Sequence, residues 1–204
     1  MVRDRRRIDP VTGEKIPGPD GEINSDDETI VGSPHPVYWG GLTNTFTWKG
    51  FDLRAFFQFS RGAEVYNAMR IFSDDGGYYY DNKFKDVLRR WRQPGDVTDQ
   101  PRASFDGTSG GNEVSSRYVE DGSYIRLGEL TLGYRLPVAR LGRINVFDEA
   151  RIFVSGRNIK TWTDYSGYNP DVNSLGATAN VSLGTDFYAY PVARTFTIGI
   201  SGAW

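Results

Sequence analysis

The sequence predicts an all-β chain, an antiparallel meander of about five strands of the kind that crosses a bacterial outer membrane as part of a β-barrel. Three observations lead there. The final stretch alternates without a slip, with Val192, Phe196, Ile198, Ile200 and Trp204 on one face and Thr195, Thr197, Gly199, Ser201 and Ala203 on the other. Chain ends usually fray as polar tails, so an apolar stripe running to an aromatic last residue fits a strand that meets lipid along its length. Second, the chain holds 24 Gly, 12 Tyr, 12 Phe and 5 Trp, while hydrophobic residues make up only 38%, which suits strands better than a helical core. Third, the connections between strands run short, long, medium, long, and in a meander both long ones fall on the same side.

The elements follow in order. Residues 1–36 hold half of the ten prolines together with many charges and read as a loop or linker leading into the barrel part, residues 37–204. The first strand covers residues 38–48, where Tyr38, Leu42, Phe46 and Trp48 share a parity and Thr43, Thr45 and Thr47 occupy the other. Lys49 and Gly50 then form a tight turn, since Gly supplies the positive φ of two-residue hairpins. The second strand sets Phe51, Leu53, Ala55, Phe57 and Phe59 against Asp52, Arg54, Phe56, Gln58 and Ser60.

Residues 61–122 make a connection far longer than a hairpin loop, carrying Tyr78, Tyr79 and Tyr80 and a short helix predicted over 83–92 that Pro94 and Gly95 end. The third strand, residues 123–136, has Leu130, Leu132, Tyr134 and Leu136 on one side but Ile125 and Leu127 on odd numbers, so a β-bulge at Gly128 is expected. A medium-length turn over 137–149 precedes a fourth strand from 151 to about 159, with Ile152 and Val154 facing away from Arg151, Ser155 and Arg157. A second long loop, residues 160–190, carries Trp162, Tyr165 and Tyr168. In the last strand, residues 196–204 at about 3.4 Å each and a tilt near 40° span about 23 Å, against an apolar band of about 25 Å in an outer membrane.

Several function classes are excluded. A net charge of -2 and the lack of a basic stripe leave nothing to attract nucleic acid. Cysteine is absent, so there is no disulfide framework, thiolate metal site or thiol nucleophile. No apolar run approaches the roughly 20 residues of a membrane-spanning helix. Met1 to Arg7 is basic but is followed by Ile8, Asp9 and Pro10, which is no signal peptide, so an exported chain of this kind is expected to be part of a longer protein. His35, the only histidine, lies between two prolines as a loop residue, which excludes histidine triads and multi-histidine metal sites. The adjacent pairs Asp26, Asp27 and Asp74, Asp75 do not promote acid/base work, and no catalytic residue or cofactor is expected. The acidic stretch at residues 20–27 offers oxygen ligands, but Ile16 and Gly18 stand where a calcium loop wants carboxylates or amides, so it reads as a solvated loop.

An ordered set of motifs resembles the carboxy-terminal part of the SusC/RagA family of TonB-dependent outer-membrane receptors. These are Ile30-Val31-Gly32-Ser33-Pro34 with Trp48-Lys49-Gly50-Phe51-Asp52-Leu53, then Asp121-Gly122-Ser123-Tyr124-Ile125-Arg126-Leu127 with Leu130-Thr131-Leu132-Gly133-Tyr134 and Pro137. Val154-Ser155-Gly156-Arg157-Asn158-Ile159, Tyr165-Ser166-Gly167-Tyr168-Asn169-Pro170, Tyr190-Pro191 and Arg194-Thr195-Phe196-Thr197-Ile198-Gly199 complete it. The family usually ends in Phe where Trp204 stands and has Asp at Asn169. The resemblance implies a 22-stranded barrel with a plug, of which this chain would form the last roughly five strands. It also implies import of glycans or peptides, a SusD-like surface lipoprotein over the external loops, and drive from an inner-membrane TonB complex.

Candidate site residues follow from that frame. Phe196, Ile198, Ile200 and Trp204 would form the terminal assembly strand against outer-membrane lipid. Asp52, Arg54, Gln58, Arg151 and Arg157 would face the lumen. Tyr78, Tyr79, Tyr80, Trp162, Tyr165 and Tyr168 are candidate substrate-contacting aromatics, with an interfacial girdle or packing inside the loops as the structural alternative. A small outer-membrane adhesin barrel and a soluble carbohydrate-binding β-sandwich remain alternatives to the receptor.

Overall fold

The computed structural model describes residues 6–8, 11–17, 27–106, 111, 113–137, 149–174 and 183–203, the strands at 6–8 and 15–17 by their backbone alone. The chain forms two compact units, a sheet unit of His35–Glu64, Asp121–Asp171 and Ala189–Trp204, and a loop unit of Met1–Pro34, Val65–Glu120 and Val172–Tyr188.

In the expected amino-terminal linker a small ribbon forms, with β1 (Arg6–Ile8) antiparallel to β2 (Lys15–Pro17). Three residues per strand leave almost no periodicity to read, which is why the sequence suggested only loop there.

The sheet unit is a five-stranded sheet whose strands are β3 (Tyr38–Trp48), β4 (Phe51–Arg61), β7 (Tyr124–Leu136), β8 (Glu149–Thr163) and β10 (Thr195–Ala203). Neighbours in space follow the chain, β3 to β4 to β7 to β8 to β10, and every pairing is antiparallel. This is the expected meander. The turn between β3 and β4 holds Lys49 at φ 46° and Gly50 at φ 89°, the two positive values that a twist-matched hairpin turn requires. A Cβ on Gly50 would lie 3.2 Å from Tyr134 Cε2, so Gly50→Ala is expected to cost about 1 kcal/mol, read as an earlier urea midpoint of the detergent-folded receptor.

Cross-strand partners in an antiparallel sheet share a face, so the register sorts the side chains into two surfaces. One surface carries the rows Trp48–Phe51–Tyr134–Ile152–Ile200, Phe46–Leu53–Leu132–Val154–Ile198 and Asn44–Ala55–Leu130–Gly156–Phe196. Beyond the bulge it continues as Leu42–Phe57–Leu127–Lys160 and Gly40–Phe59–Ile125–Trp162. The opposite surface carries Asp52, Arg54, Gln58, Glu129, Thr131, Arg151, Ser155 and Arg157 with few apolar side chains. Two polar residues interrupt the apolar surface. Asn44 lies on β3, and Lys160 lies toward the far rim, where its long stem can cover apolar surface while its ammonium reaches water.

The bulge expected at Gly128 is present: Phe56 and Phe57 of β4 face Glu129 and Leu127 of β7, leaving Gly128 as the extra residue. A second irregularity lies opposite, where Asn158 takes φ 51° and its side chain donates to the Ala193 carbonyl at 3.0 Å. β8 keeps its parity past this point, with Ile152, Val154, Gly156, Lys160 and Trp162 all on one surface, and it runs to Thr163, four residues past the expected end, so Trp162 belongs to a strand and not to a loop. Glycines in the strands are covered by large side chains. The Phe59 ring lies over Gly40, Phe196 over Gly156, Phe153 over Gly199 and the Arg151 guanidinium over Gly133. A bare Cα beside an aromatic ring lets both strands keep their spacing, which explains why the chain is rich in both.

The last strand covers Thr195–Ala203, so Val192 lies in the irregular stretch before it and Trp204 lies outside the described residues. The acidic stretch is outside them too, apart from Asp27.

In the loop unit, β5 (Glu64–Asn67) joins β6 (Val119–Asp121) and β9 (Thr185–Asp186) in a small sheet, with β5 and β9 parallel. A five-residue helix, α1 (Met69–Ser73), follows β5. The helix expected over 83–92 reduces to a 3-10 turn at Lys85–Arg89, because Phe84 offers no side-chain cap and Arg90 has returned to ψ 152°.

Candidate functional site

On the polar surface of the sheet, Arg151 reaches across the bare Gly133 to Asp52. Its Nε donates to Asp52 Oδ1 at 2.9 Å and its Nη2 to Oδ2 at 2.5 Å, a bidentate clasp linking residues 99 apart in sequence. The same guanidinium lies 5.2 Å from the Phe153 ring. Next along, Thr131 donates to Ser155 at 2.9 Å, and Arg54 stands 3.9 Å from Glu129. Gln58 and Arg157 share this surface, opposite Arg126 and Glu129 respectively. All five residues expected on the polar face are therefore brought to one side of the sheet.

The same face is closed at its long-loop end by Arg126, which is buried. Its Nη2 donates to Asn169 Oδ1 at 2.6 Å, its Nε donates to Thr161 Oγ1 at 3.1 Å, and its Nη1 lies 3.5 Å from Asp171. Asn169 in turn donates through Nδ2 to the Asp171 carbonyl at 2.8 Å. Accepting from arginine while donating to a carbonyl takes an amide, which gives a reason for Asn at this position. Sequence reading missed Arg126 because its partners come from a different strand and from a loop.

The expected substrate aromatics separate. Tyr80 and Tyr168 are exposed and Tyr78 partly so, whereas Tyr79 packs on Phe72 with ring centroids 4.6 Å apart. Phe72 also meets Phe187 at 5.7 Å and Tyr188 at 6.3 Å, a ring cluster in the loop unit. Tyr165 is 5% exposed, and a Cβ on Gly167 would fall 2.5 Å from its ring. It is a packing residue here, as in the structural alternative given for these rings. Trp162 is half exposed on the apolar surface of β8.

Behind Tyr78 to Tyr80 lies a polar core. Arg70 Nε donates to Asp74 Oδ2 at 2.8 Å and Nη1 to Glu120 Oε1 at 3.0 Å, while Asn67 donates to the same Glu120 oxygen at 3.1 Å. Asp75 pairs with Lys83 at 2.5 Å and accepts the Gly77 and Tyr79 N–H groups, which fixes the turn carrying the tyrosines. Asp74 and Asp75 are thus buried ion-pair partners. Burial also raises the Tyr66 and Tyr118 hydroxyls above their ordinary pKa, and Tyr118 donates to the Gly111 carbonyl at 2.5 Å.

The two surfaces define a class. Along β3 the apolar rows run from Trp48 to Tyr38, ten steps of about 3.4 Å that at a 40° tilt cover about 26 Å, the height of an outer-membrane apolar band. Aromatic rings mark both ends, with Trp48, Phe51 and Tyr134 at the hairpin end and Tyr38, Phe59 and Trp162 at the other. Such a sheet is a segment of an outer-membrane β-barrel receptor, and comparison with known proteins gives its family. The chain is 36% identical over 184 residues to TonB-dependent receptor P3 of Formosa agariphila, covering 89% of this chain and 18% of that protein. It is 25% identical over 191 residues to TonB-dependent receptor SusC of Bacteroides thetaiotaomicron, covering 89% of this chain and 16% of SusC. Among solved structures it matches the RagAB peptide importer in its closed-closed state with a TM-score of 0.73 and 28% identity, over 95% of this chain and 20% of that one. No family model matches the chain.

The chain belongs to the SusC/RagA family of TonB-dependent receptors and spans less than a quarter of the length of these relatives. It is a transmembrane barrel segment and not an enzyme. The relationship sets aside the adhesin and the soluble sandwich.

Proposed function

We propose that this chain is the carboxy-terminal barrel segment of a Gram-negative outer-membrane transporter that imports oligosaccharides. The two-faced sheet carries this reading: the apolar rows meet lipid, and the Asp52, Arg54, Gln58, Arg151 and Arg157 surface lines the water-filled lumen. On this reading Phe196, Ile198 and Ile200, with Trp204, form the strand by which the barrel is assembled, and the long loops form part of the substrate mouth. A SusD-like lipoprotein covers that mouth, and an inner-membrane TonB complex acts on a plug supplied by the rest of the receptor.

The exposed rings of Tyr80 and Tyr168 favour sugars, whose C–H faces stack on aromatic planes. Peptides are the second reading, supported by the match to an importer of peptides. Uptake of fluorescent oligosaccharides and of fluorescent peptides by cells carrying the full receptor decides between them. Tyr80→Ala with Tyr168→Ala is expected to slow oligosaccharide uptake about tenfold while outer-membrane levels stay unchanged. Unchanged oligosaccharide uptake alongside lost peptide uptake would select the second reading.

A further inference from the structure

A cavity of about 400 Å³, within the size range of small-ligand sites, opens at the long-loop end of the sheet unit. Its floor is the last aromatic row of the apolar surface, with Phe59, Ile125 and Trp162 side by side and Tyr38 edge-on to Phe59 at 6.3 Å. Two residues further along the same strands, parity brings Arg61, Ser123 and Asp164 to the same surface, joined by Asp121. The cavity therefore straddles the line where the apolar band gives way to charge. Ser123 is held in place, accepting the Gly62 N–H at 3.0 Å on its hydroxyl and the Thr163 hydroxyl at 2.8 Å on its carbonyl. Asp121 accepts the Ser123 N–H at 2.8 Å, and the Ser123 side chain and backbone hold its carboxyl below the usual range, so it is ionised at neutral pH. Arg61 lines the same cavity, where its positive charge acts on Asp121, and Asp164 lines it as well.

We infer that this cavity binds the sugar head group of a glycolipid in the outer leaflet, an inference that rests on the membrane orientation proposed above. The two carboxylates suit hydroxyl groups, which donate to Asp121 and Asp164, and Arg61 donates to a sugar hydroxyl or to a phosphate carried on the sugar. Trp162 and Tyr38 offer faces for the C–H side of a sugar ring. The lipid source follows from placement. Immediately below the cavity the Leu42–Phe57–Leu127 row continues the apolar surface, where an acyl chain would lie and a free sugar would gain nothing.

The test uses the full receptor reconstituted in nanodiscs, with lipopolysaccharide as the probe and phosphatidylethanolamine and water-soluble core oligosaccharide as comparisons. Native mass spectrometry counts retained lipid, and Trp162 reports binding by fluorescence. Lipopolysaccharide is expected to bind at least about tenfold more tightly than either comparison, and Arg61→Ala or Asp164→Asn to weaken it about tenfold. The mild Asp164→Asn change, checked for a folded barrel by its heat-shifted gel mobility, keeps a folding defect from being mistaken for lost binding. Equal retention by the variants overturns the site, as does equal binding of phosphatidylethanolamine. Equal binding of the free oligosaccharide overturns the lipid assignment. Failure of the membrane reading itself would show separately, as wild-type receptor that does not fractionate with outer membranes.

Discussion

Arg70→Met is expected to open the loop unit while leaving the barrel strands folded. Arg70 is the common cation for Asp74, which is 1% exposed at its side chain, and for Glu120, which is 14% exposed. Removing it leaves two carboxylates in a poorly hydrated site, with the Asn67 amide still donating to Glu120. Breaking a buried ion pair from one side typically costs about 3–5 kcal/mol, far more than the lost contact of a surface arginine. α1 and the segment around Glu120 both depend on this guanidinium, so they should lose protection together. Hydrogen exchange followed by mass spectrometry is the measurement. Fast exchange confined to residues 64–120 and 183–188, with β3, β4, β7 and β8 still protected, is the expected pattern. Adding Asp74→Asn and Glu120→Gln to the Arg70 variant removes the stranded charge and should restore part of the protection.

Leu130→Arg is expected to block accumulation of the receptor in the outer membrane, whereas Thr131→Arg should be tolerated. The two residues are neighbours on β7 but point to opposite surfaces. Leu130 lies in the middle of the apolar rows, between Ala55 and Gly156, where nothing nearby could neutralise a guanidinium. A lipid-facing arginine at mid-depth costs about 2–4 kcal/mol. Thr131 stands beside Arg54 and Ser155 on the polar surface, so its replacement loses the hydroxyl's hydrogen bonds to Ser155 and Glu129, about 1 kcal/mol each, and leaves the new charge in water. Receptor levels in outer-membrane fractions, compared by heat-shifted gel mobility, separate the two. Similar loss in both variants would mean that the sheet is not divided by its parity.

The five long strands were legible because each carries several periods of alternation between a water-facing and a lipid-facing environment. Even the bulge at Gly128 could be read, since the switch from odd to even apolar positions in β7 admits one extra residue and little else. The end of β8 could not. Its even positions run Gly156, Asn158 and Lys160 before Trp162, so the apolar alternation lapses where the strand in fact continues. Periodicity alone therefore ends the strand near Ile159 and leaves Trp162 to the loop. The loop unit was hidden for a related reason. Strands of two to four residues carry no period, and its core is held by charges whose partners are distant. Arg70 and Asp74 stand at helical spacing, but Glu120 arrives from 50 residues away. Adjacent aspartates on a loop give no sign of such a partner. The five polar-face residues, by contrast, needed only parity, and the structure puts them on a single surface while Tyr165 turns inward.

The central claim, that one surface of this sheet meets lipid and the other meets water, is tested most directly by site-specific quenching. The chain contains no cysteine, so single cysteines at Ile198 and Thr197 can each carry an environment-sensitive fluorophore in the full receptor reconstituted into vesicles. These positions are adjacent on β10 and pair with Val154 and Ser155 on opposite surfaces. The account predicts that the probe at 198 is quenched by a nitroxide on a lipid acyl chain and shielded from aqueous iodide, with the reverse at 197. Iodide quenching of both probes alike, or lipid quenching of 197 over 198, would contradict it.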